Sequence, residues 1–394
     1  MPVYRSFQQH LDPSVGPKRI LALDGGGLRG VLTLGFLREI ETLLRERHGN
    51  DPAFRLGDYF DLIAGTSTGA IIAAALAVGM SVDELHGHYL DLGNKVFKRS
   101  PLRFGAVRAK YDAKDVAKAL KGVLGERRLG DAGYRTGLMV MSKRLDTGSP
   151  WPLTNNPDAP YMKRGEQATT IANGEYPLWQ VVRASTAAPH FFDPEVLRIG
   201  RADGAVKAVE GDFVDGGVSP SNNPALQALM AATMEGFEFG WPTGEEQLLV
   251  VSVGTGKANP ALGRTNLVTG TALVNALRSL TSLMEDCADQ VETVMQWLSR
   301  SPTARRIDRV TKRAEPPLGG MPTISYLRYN VLMSSAWCRE QLGLDLSDDA
   351  LKALQAMDDP DNIMPLDALG RTAGALLVKG EHFTPTFDAG VVVA

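Results

Sequence analysis

Twice within its first eighty residues the chain runs from a short apolar stretch through a glycine-rich turn into a helical pattern. The first unit is Arg19-Ile-Leu-Ala-Leu-Asp24, which stops at Gly25-Gly26-Gly27. From Val31 onward Leu34, Leu37, Ile40 and Leu44 recur at spacings of three and four, and Gly49 closes the pattern. The second unit begins at Tyr59-Phe-Asp-Leu-Ile-Ala64, turns through Gly65-Thr66-Ser67-Thr68-Gly69 and continues as the small-residue helix Ala70 to Gly79. Buried strands that feed helices in this way predict an α/β fold with a mainly parallel central sheet and helices on both faces. In such a sheet, functional groups gather beyond the carboxyl ends of the strands.

The rest of the chain extends this plan. Residues 81–130 read as mainly helical with Asp112 as an N-cap, and Thr136 to Ser142 as a strand. Thr147 to Gly174, rich in Pro, Asn, Gly and Thr and holding Trp151 and Tyr161, is too long for an ordinary connection and predicts a lid or binding loop. A helix is expected around Leu178 to Ala184, a strand ending in a turn at Asp212 to Gly217, and a buried strand at Leu248 to Val253. Leu273, Leu277, Leu280, Met284, Val291 and Met295 mark helix, and Pro316-Pro317 with Gly319-Gly320 precedes an extended stretch from Ile324 to Val331. The expected organisation is an N-terminal extension over residues 1–17, a catalytic domain over 18–300, and a mostly helical region over 301–394 packed on the same domain.

Composition excludes several classes. With 44% hydrophobic and 22% charged residues, the 394-residue chain is neither disordered nor fibrous. Forty-two Lys and Arg against 45 Asp and Glu give a net charge of -3, without the basic surplus of a nucleic-acid binder. Cys287 and Cys338 stand apart, so neither a disulfide framework nor a zinc site is expected, and a reducing compartment fits. The first residues lack an apolar core, and the longest strongly apolar stretch, Ala70 to Val78, is short of the ~20 residues of a spanning helix. No anchor or secretory signal is expected, and a cytoplasmic location follows.

Three short motifs carry chemistry. Gly65-Thr-Ser-Thr-Gly69 matches G-x-S-x-G between an expected strand and helix, the setting of a nucleophile elbow, with Ser67 at its centre; capping of the next helix is the plainer reading. Asp24-Gly-Gly-Gly-Leu-Arg-Gly30 offers unhindered N–H groups before a helix and so suits a negative charge. It also satisfies G-x-G-x-x-G through Gly25, Gly27 and Gly30, with Asp51 placed 21 residues later where a ribose-binding acid is sought. Asp51, however, follows a charged helix end and precedes Pro52 instead of ending a strand. Asp215-Gly216-Gly217 puts a carboxylate at a strand end, or is a plain Asp-Gly turn.

Histidine supply bears on the base. His10, His48, His86, His88 and His190 lie in unpromising places, and only His382 follows Asp215 in the order of a Ser-acid-His triad. The pattern favours a base other than histidine, with Asp215 as the candidate and His382 as the alternative. Gly254-Thr-Gly-Lys257 is not a phosphate loop, because Val251 and Ala258 stand where Gly and Ser or Thr are needed; it reads as structural or as a neighbour of the site. Phe237, Phe239 and Trp241 suit packing at least as well as lipid contact.

In this order DGGGLRG, GTSTG, LWQVVRASTAAPHFF and DGG resemble the patatin-like phospholipases over roughly Lys18 to Gly256. The resemblance implies a three-layer α/β fold and a lipid acyl hydrolase that cleaves fatty acyl esters of phospholipids or related glycerolipids. Ser67 would be the nucleophile and Asp215 the base of a Ser-Asp dyad, with an acyl-enzyme intermediate. Gly25, Gly26 and Gly27 would give the oxyanion hole, braced by Arg29, while Gly65 and Gly69 shape the elbow. Gly217 departs from the DGA of many members. No metal or cofactor is implied. Peripheral membrane contact is implied, and some members are storage proteins, toxins or defence effectors that degrade membranes when a cyclic nucleotide activates them.

Overall fold

The computed structural model describes residues 4–96, 111–163, 169–202, 207–258, 272–308, 310–311 and 316–388. Among these, nine strands form one sheet: β1 (Lys18–Leu23), β2 (Leu62–Thr66), β3 (Gly137–Arg144), β4 (Pro150–Thr154), β5 (Glu195–Gly200), β6 (Val209–Asp215), β7 (Leu248–Val253), β8 (Ser299–Arg300) and β9 (Ile324–Tyr329). Their order is β5-β6-β3-β2-β1-β7-β9-β8, with β4 paired to β3. From β3 through β8 every neighbour is parallel. The wing formed by β4, β5 and β6 is antiparallel, a feature that the apolar runs of the sequence do not report.

The central strands are apolar throughout because both their faces are covered. On β1, Leu21 and Leu23 join the larger core with the helices Gly30–Arg47, Thr68–Ala77 and Ile363–Leu377. Ile20 and Ala22 point the other way, onto the Ala225–Thr233 helix and onto Val291 and Met295 of the Ala272–Trp297 helix. The result is helix, sheet, helix, the expected α/β architecture.

The sheet continues past residue 300, since β9 pairs in parallel with β7 from Leu249↔Ser325 to Val253↔Tyr329. The Ile363–Leu377 helix lies almost backbone to backbone on Gly30–Arg47. A Cβ on Gly35 would collide with the Gly370 backbone, and one on Gly370 would sit 2.6 Å from the Leu32 carbonyl oxygen. Only glycines allow that approach.

The segment expected as a lid begins instead as β4, because alternate residues of Pro150–Thr154 continue the β3 ladder, and Trp151 packs edge-on against Phe213. Residues 164–168 of that segment lie outside the described ones. Phe239 and Trp241 are buried edge to face, and the Trp241 Nε1–H donates to the Leu11 carbonyl at 3.0 Å, so they pack within the core. The N-terminal extension is tied down as well. Arg5 Nη1 and His10 Nδ1 each lie 2.8 Å from the fully buried Asp61 carboxylate, which also accepts from the Arg19 N–H and Nε. Arg19 Nη1 reaches on to the Phe387 carbonyl at 2.9 Å. Although burial opposes ionisation, Arg19, His10 and Arg5 hold the Asp61 carboxyl well below the usual carboxylate range.

Candidate active site

Ser67 stands between β2 and the Thr68–Ala77 helix with φ 55° and ψ −122°, a conformation costing a non-glycine residue roughly 1–3 kcal/mol. Its neighbours enforce the turn. A Cβ on Gly65 would strike the Gly69 carbonyl, and one on Gly69 would strike the Leu23 carbonyl of β1. Small residues at both positions therefore let helix, turn and adjacent strand close on one another, and the serine hydroxyl is lifted out of the sheet edge. The Ser67 N–H donates to Ser185 Oγ at 2.8 Å, and that hydroxyl donates to the Met141 carbonyl at 2.5 Å. Thr66 Oγ1 donates to the Ser221 carbonyl at 2.6 Å. The Ser67 backbone is thus gripped from the Leu178–Ser185 helix.

Asp215 ends β6, where its ladder with β3 pairs it with Ser142. It is 4% exposed, accepts the Gly217 N–H at 2.7 Å and lines the same cleft as Ser67. Burial pushes its carboxyl up to about 6, against the nearby Ser67 hydroxyl, the hydrogen bond from the Gly217 N–H and the Arg183 guanidinium. Arg183 is itself fully buried and donates through Nη2 to the Asp193 carbonyl. A carboxylate titrating there is ionised at neutral pH yet basic enough to take a proton.

Ser67 and Asp215 open into a cleft whose walls include Leu28, Ile71, Phe191, Phe192, Leu280 and Met284, with about 1010 Å³ of empty space including its mouth. Among the described residues Asp215 is the only charged group lining it. An apolar wall with two convergent polar groups suits an ester carried on a hydrocarbon chain.

The glycine loop Gly25 to Gly27 faces the same cleft through Gly26 and Gly27. The three glycines differ in use. The Gly25 N–H already donates to the Asn222 carbonyl at 3.1 Å, and the Leu28 N–H to the Met357 carbonyl at 2.8 Å. The Gly26 and Gly27 N–H groups have no acceptor among the described residues, which leaves them to receive a negative charge. Thr255 Oγ1 donates to the Gly25 carbonyl at 2.9 Å, so the Gly254-Thr-Gly-Lys257 turn is a neighbour of the site. Tyr89 bridges both turns, 2.6 Å from Thr68 Oγ1 and donating to the Gly27 carbonyl at 2.6 Å. Arg29 lies behind the loop with its Nε buried and without a hydrogen-bond partner among the described residues; burial pulls its guanidinium down from its ordinary value, and Glu285 and Asp24 oppose that.

Two alternatives from the sequence lie elsewhere. His382 Nδ1 lies 2.9 Å from the Tyr329 hydroxyl, and the residue does not line the cleft. Asp51 accepts from the Tyr4 hydroxyl at 2.7 Å, beyond the far end of the 18-residue Gly30–Arg47 helix, about 27 Å from the glycine loop at 1.5 Å per residue. Ser185, Asn222 and Met357 escaped sequence reasoning as parts of the site; of these, only Ser185 sat inside a motif, the run LWQVVRASTAAPHFF. No group of three or more His, Cys, Asp or Glu arranged to hold a metal ion occurs among the described residues, and none of their helices is long and apolar enough to cross a membrane.

The model of the family described as Patatin-like phospholipase matches residues 21–229. A cGAMP-activated phospholipase of Vibrio cholerae serotype O1 is 32% identical over 232 residues, covering 56% of this chain and 58% of that protein. Patatin-T5 of Solanum tuberosum is 29% identical over 249 residues, 60% of each chain. The chain thus matches about three fifths of the length of these relatives. Among solved structures, VipD from Legionella pneumophila aligns over 89% of this chain and 67% of its own at 14% identity, with a TM-score of 0.32, too low to inform the site.

Proposed function

The chain belongs to the patatin-like phospholipase family, and on that premise we propose that it hydrolyses fatty acyl esters of phospholipids or related glycerolipids through Ser67 and Asp215. The observation that carries the reading is the convergence of Ser67, on its left-handed turn, and the buried Asp215 carboxyl in one apolar cleft. Asp215 accepts the hydroxyl proton as Ser67 Oγ attacks the acyl carbonyl carbon, and the carbonyl π electrons move onto oxygen. The Gly26 and Gly27 N–H groups receive that oxyanion; one such donor is worth about 2.7–4 kcal/mol in the transition state. Asp215 then returns the proton to the leaving alcohol, and Ser67 carries the acyl group as an ester. Water, deprotonated by Asp215, attacks this ester and releases the fatty acid. Every step uses side chains and backbone of this chain, and lipid substrate requires contact with a membrane or micelle surface.

The test is incubation with mixed phospholipids and neutral lipids, followed by mass spectrometry of released fatty acids and lyso products. Products that appear with the wild type and vanish with Ser67→Ala support the reading; equal release by both proteins overturns it. The Vibrio relative's description as cGAMP-activated supports a second reading, that a cyclic nucleotide switches this hydrolysis on. Assays with and without cGAMP decide it, and unchanged Ser67-dependent release across a concentration series removes it.

A further inference from the structure

We infer that Arg328, which lies outside the 21–229 stretch matched by the family model, is a positioning residue that orients the oxyanion loop; the inference rests on the reading of Ser67 and the glycine loop given above. Asp24 immediately precedes Gly25, and both its carboxylate oxygens are held by one guanidinium. Arg328 Nη1 lies 2.9 Å from Oδ1 and Nη2 lies 2.6 Å from Oδ2, with the two side chains only 5% and 7% exposed. A fork that meets a carboxylate at two points fixes its plane as well as its distance, which a single ammonium does not.

The guanidinium is itself immobilised. Its backbone sits on β9 opposite Ser252 of β7, and Nη1 also donates to Ser252 Oγ at 2.7 Å. Its Nε faces Glu292 at 3.6 Å. Glu292 lies 2.7 Å from Arg305 Nε, Arg305 Nη2 is 3.6 Å from Asp289, and Lys257 Nζ is 2.5 Å from Asp289. Alternating charges therefore run from the loop to the Ala272–Trp297 helix, which carries Glu292 and Asp289 on one side and cleft-lining Leu280 and Met284 on another.

The glycine loop is consequently a partition between two cavities. On one side is the apolar cleft. On the other is a polar cavity lined by Asp24, Arg29, Glu285, Asp289, Arg305 and Arg328. The cleft wants mobile apolar contacts with a lipid chain, whereas the oxyanion donors must be held within a fraction of an ångström. The ion pairs behind the loop supply that rigidity: Asp24 cannot turn without turning the peptide that leads to the Gly26 N–H.

The experiment uses the full chain with a soluble acyl ester and compares wild type, Arg328→Lys, and the double variant Asp24→Asn with Arg328→Met, which removes both charges and strands neither. The expected result is a kcat lower by about 10²-fold in the double variant, the order of loss for a misplaced reacting geometry, with a smaller fall in Arg328→Lys and an unchanged KM. Affinity for a trifluoromethyl ketone, which forms a tetrahedral oxyanion on Ser67, falls by the same factor as kcat/KM, while fatty-acid product inhibition does not move. Folded variants that keep wild-type kcat and ketone affinity, whether or not their thermal midpoints drop, overturn this inference alone. Absence of Ser67-dependent hydrolysis in the wild type removes the functional reading and this inference together.

Discussion

Gly65–Gly69 and Asp24–Gly30 both lead a parallel strand into a helix and meet in one cleft, yet they are held in opposite ways. At the elbow the steric fit is closed within the turn itself and against the adjacent strand: Gly65 against Gly69, and Gly69 against Leu23 of β1. At the glycine loop the fit is made by parts of the chain far away, with Thr255 reaching across 230 positions and Arg328 across 304. A Cβ on Gly26 would collide with the Thr255 side chain, and one on Gly27 with the Met357 backbone. The turn that presents Ser67, the proposed nucleophile, is thus shaped by the elbow and β1 and gripped by Ser185 and Ser221, all within residue 229, whereas the Gly26 and Gly27 N–H groups, the proposed oxyanion donors, depend on residues beyond it. Catalysis requires both, so it should be lost earlier than the elbow itself when packing beyond residue 229 loosens.

The largest effect tests the chemical partnership across the two turns. Asp215→Asn keeps the shape but removes the base, and kcat should fall by about 10⁴-fold. His382→Ala, whose imidazole is engaged with Tyr329, should leave turnover near the wild-type value; a loss there as deep as in Asp215→Asn would replace the dyad by a triad. The same substitution carries a stability signature. Because burial raises Asp215 from 3.8 to about 6, the fold favours its protonated form, so its contribution to stability is complete below pH 4 and is lost as pH rises through 6. Asp215→Asn should therefore be more stable to unfolding than the wild type at pH 8, by on the order of 3 kcal/mol for a shift of about two units.

A smaller effect asks whether the contrast between near and far supports holds. Gly69→Ala meets a backbone carbonyl that cannot be removed, so no second substitution should repair it. Gly26→Ala meets a side chain, and its φ of 173° admits any residue. It should cost about 10²-fold in kcat by displacing the donors, and Thr255→Gly in the same chain should restore part of that loss. Equal failure to repair at both sites would erase the distinction drawn here. The smallest effect concerns the approach to Asp215 from the Leu178–Ser185 helix. The kcat/KM profile should rise with pH through about 6 as Asp215 ionises. Arg183→Met removes a cation that opposes the upward shift, so that limb should move to higher pH; a limb that stays put would show that Arg183 does not act on the base.

The same contrast explains what could be read in advance. The elbow was legible because GTSTG and its flanking strand and helix are contiguous, and each glycine answers to a neighbour within the unit or on β1. Asp215 was legible from a strand-end turn. The glycine loop was visible as a motif, but the engagement of the Gly25 N–H by Asn222 was not, because no local pattern says which distant carbonyl will arrive. Arg328 falls inside the extended stretch Ile324 to Val331 with nothing to mark it, and Met357 belongs to no motif. The antiparallel wing was missed for a related reason: an apolar stretch reports burial but not strand direction, and β4 was hidden inside a Pro- and Asn-rich segment by its exposed edge. The residues before Lys18 read only as an extension because Arg5 and His10 carry no motif; their partner Asp61 sits within the second unit.

That partner has a further consequence. Arg5, His10, Arg19 and, through Arg19, the carbonyl of Phe387 converge on one fully buried carboxylate. Replacing Asp61 by a neutral residue would leave the Arg5 and Arg19 guanidinium charges uncompensated in a dry interior, which typically costs about 3–5 kcal/mol. The outer segments of the chain are therefore not frayed edges around an independent core; they act as a buckle whose release exposes β1, the strand on which both glycine turns depend. Amide protons of Ile20 to Leu23 should then exchange only by whole-molecule opening, and a deletion of residues 1–10 should quicken their exchange as much as damage to the sheet itself. A version lacking residues 1–10 would report on a different, looser molecule.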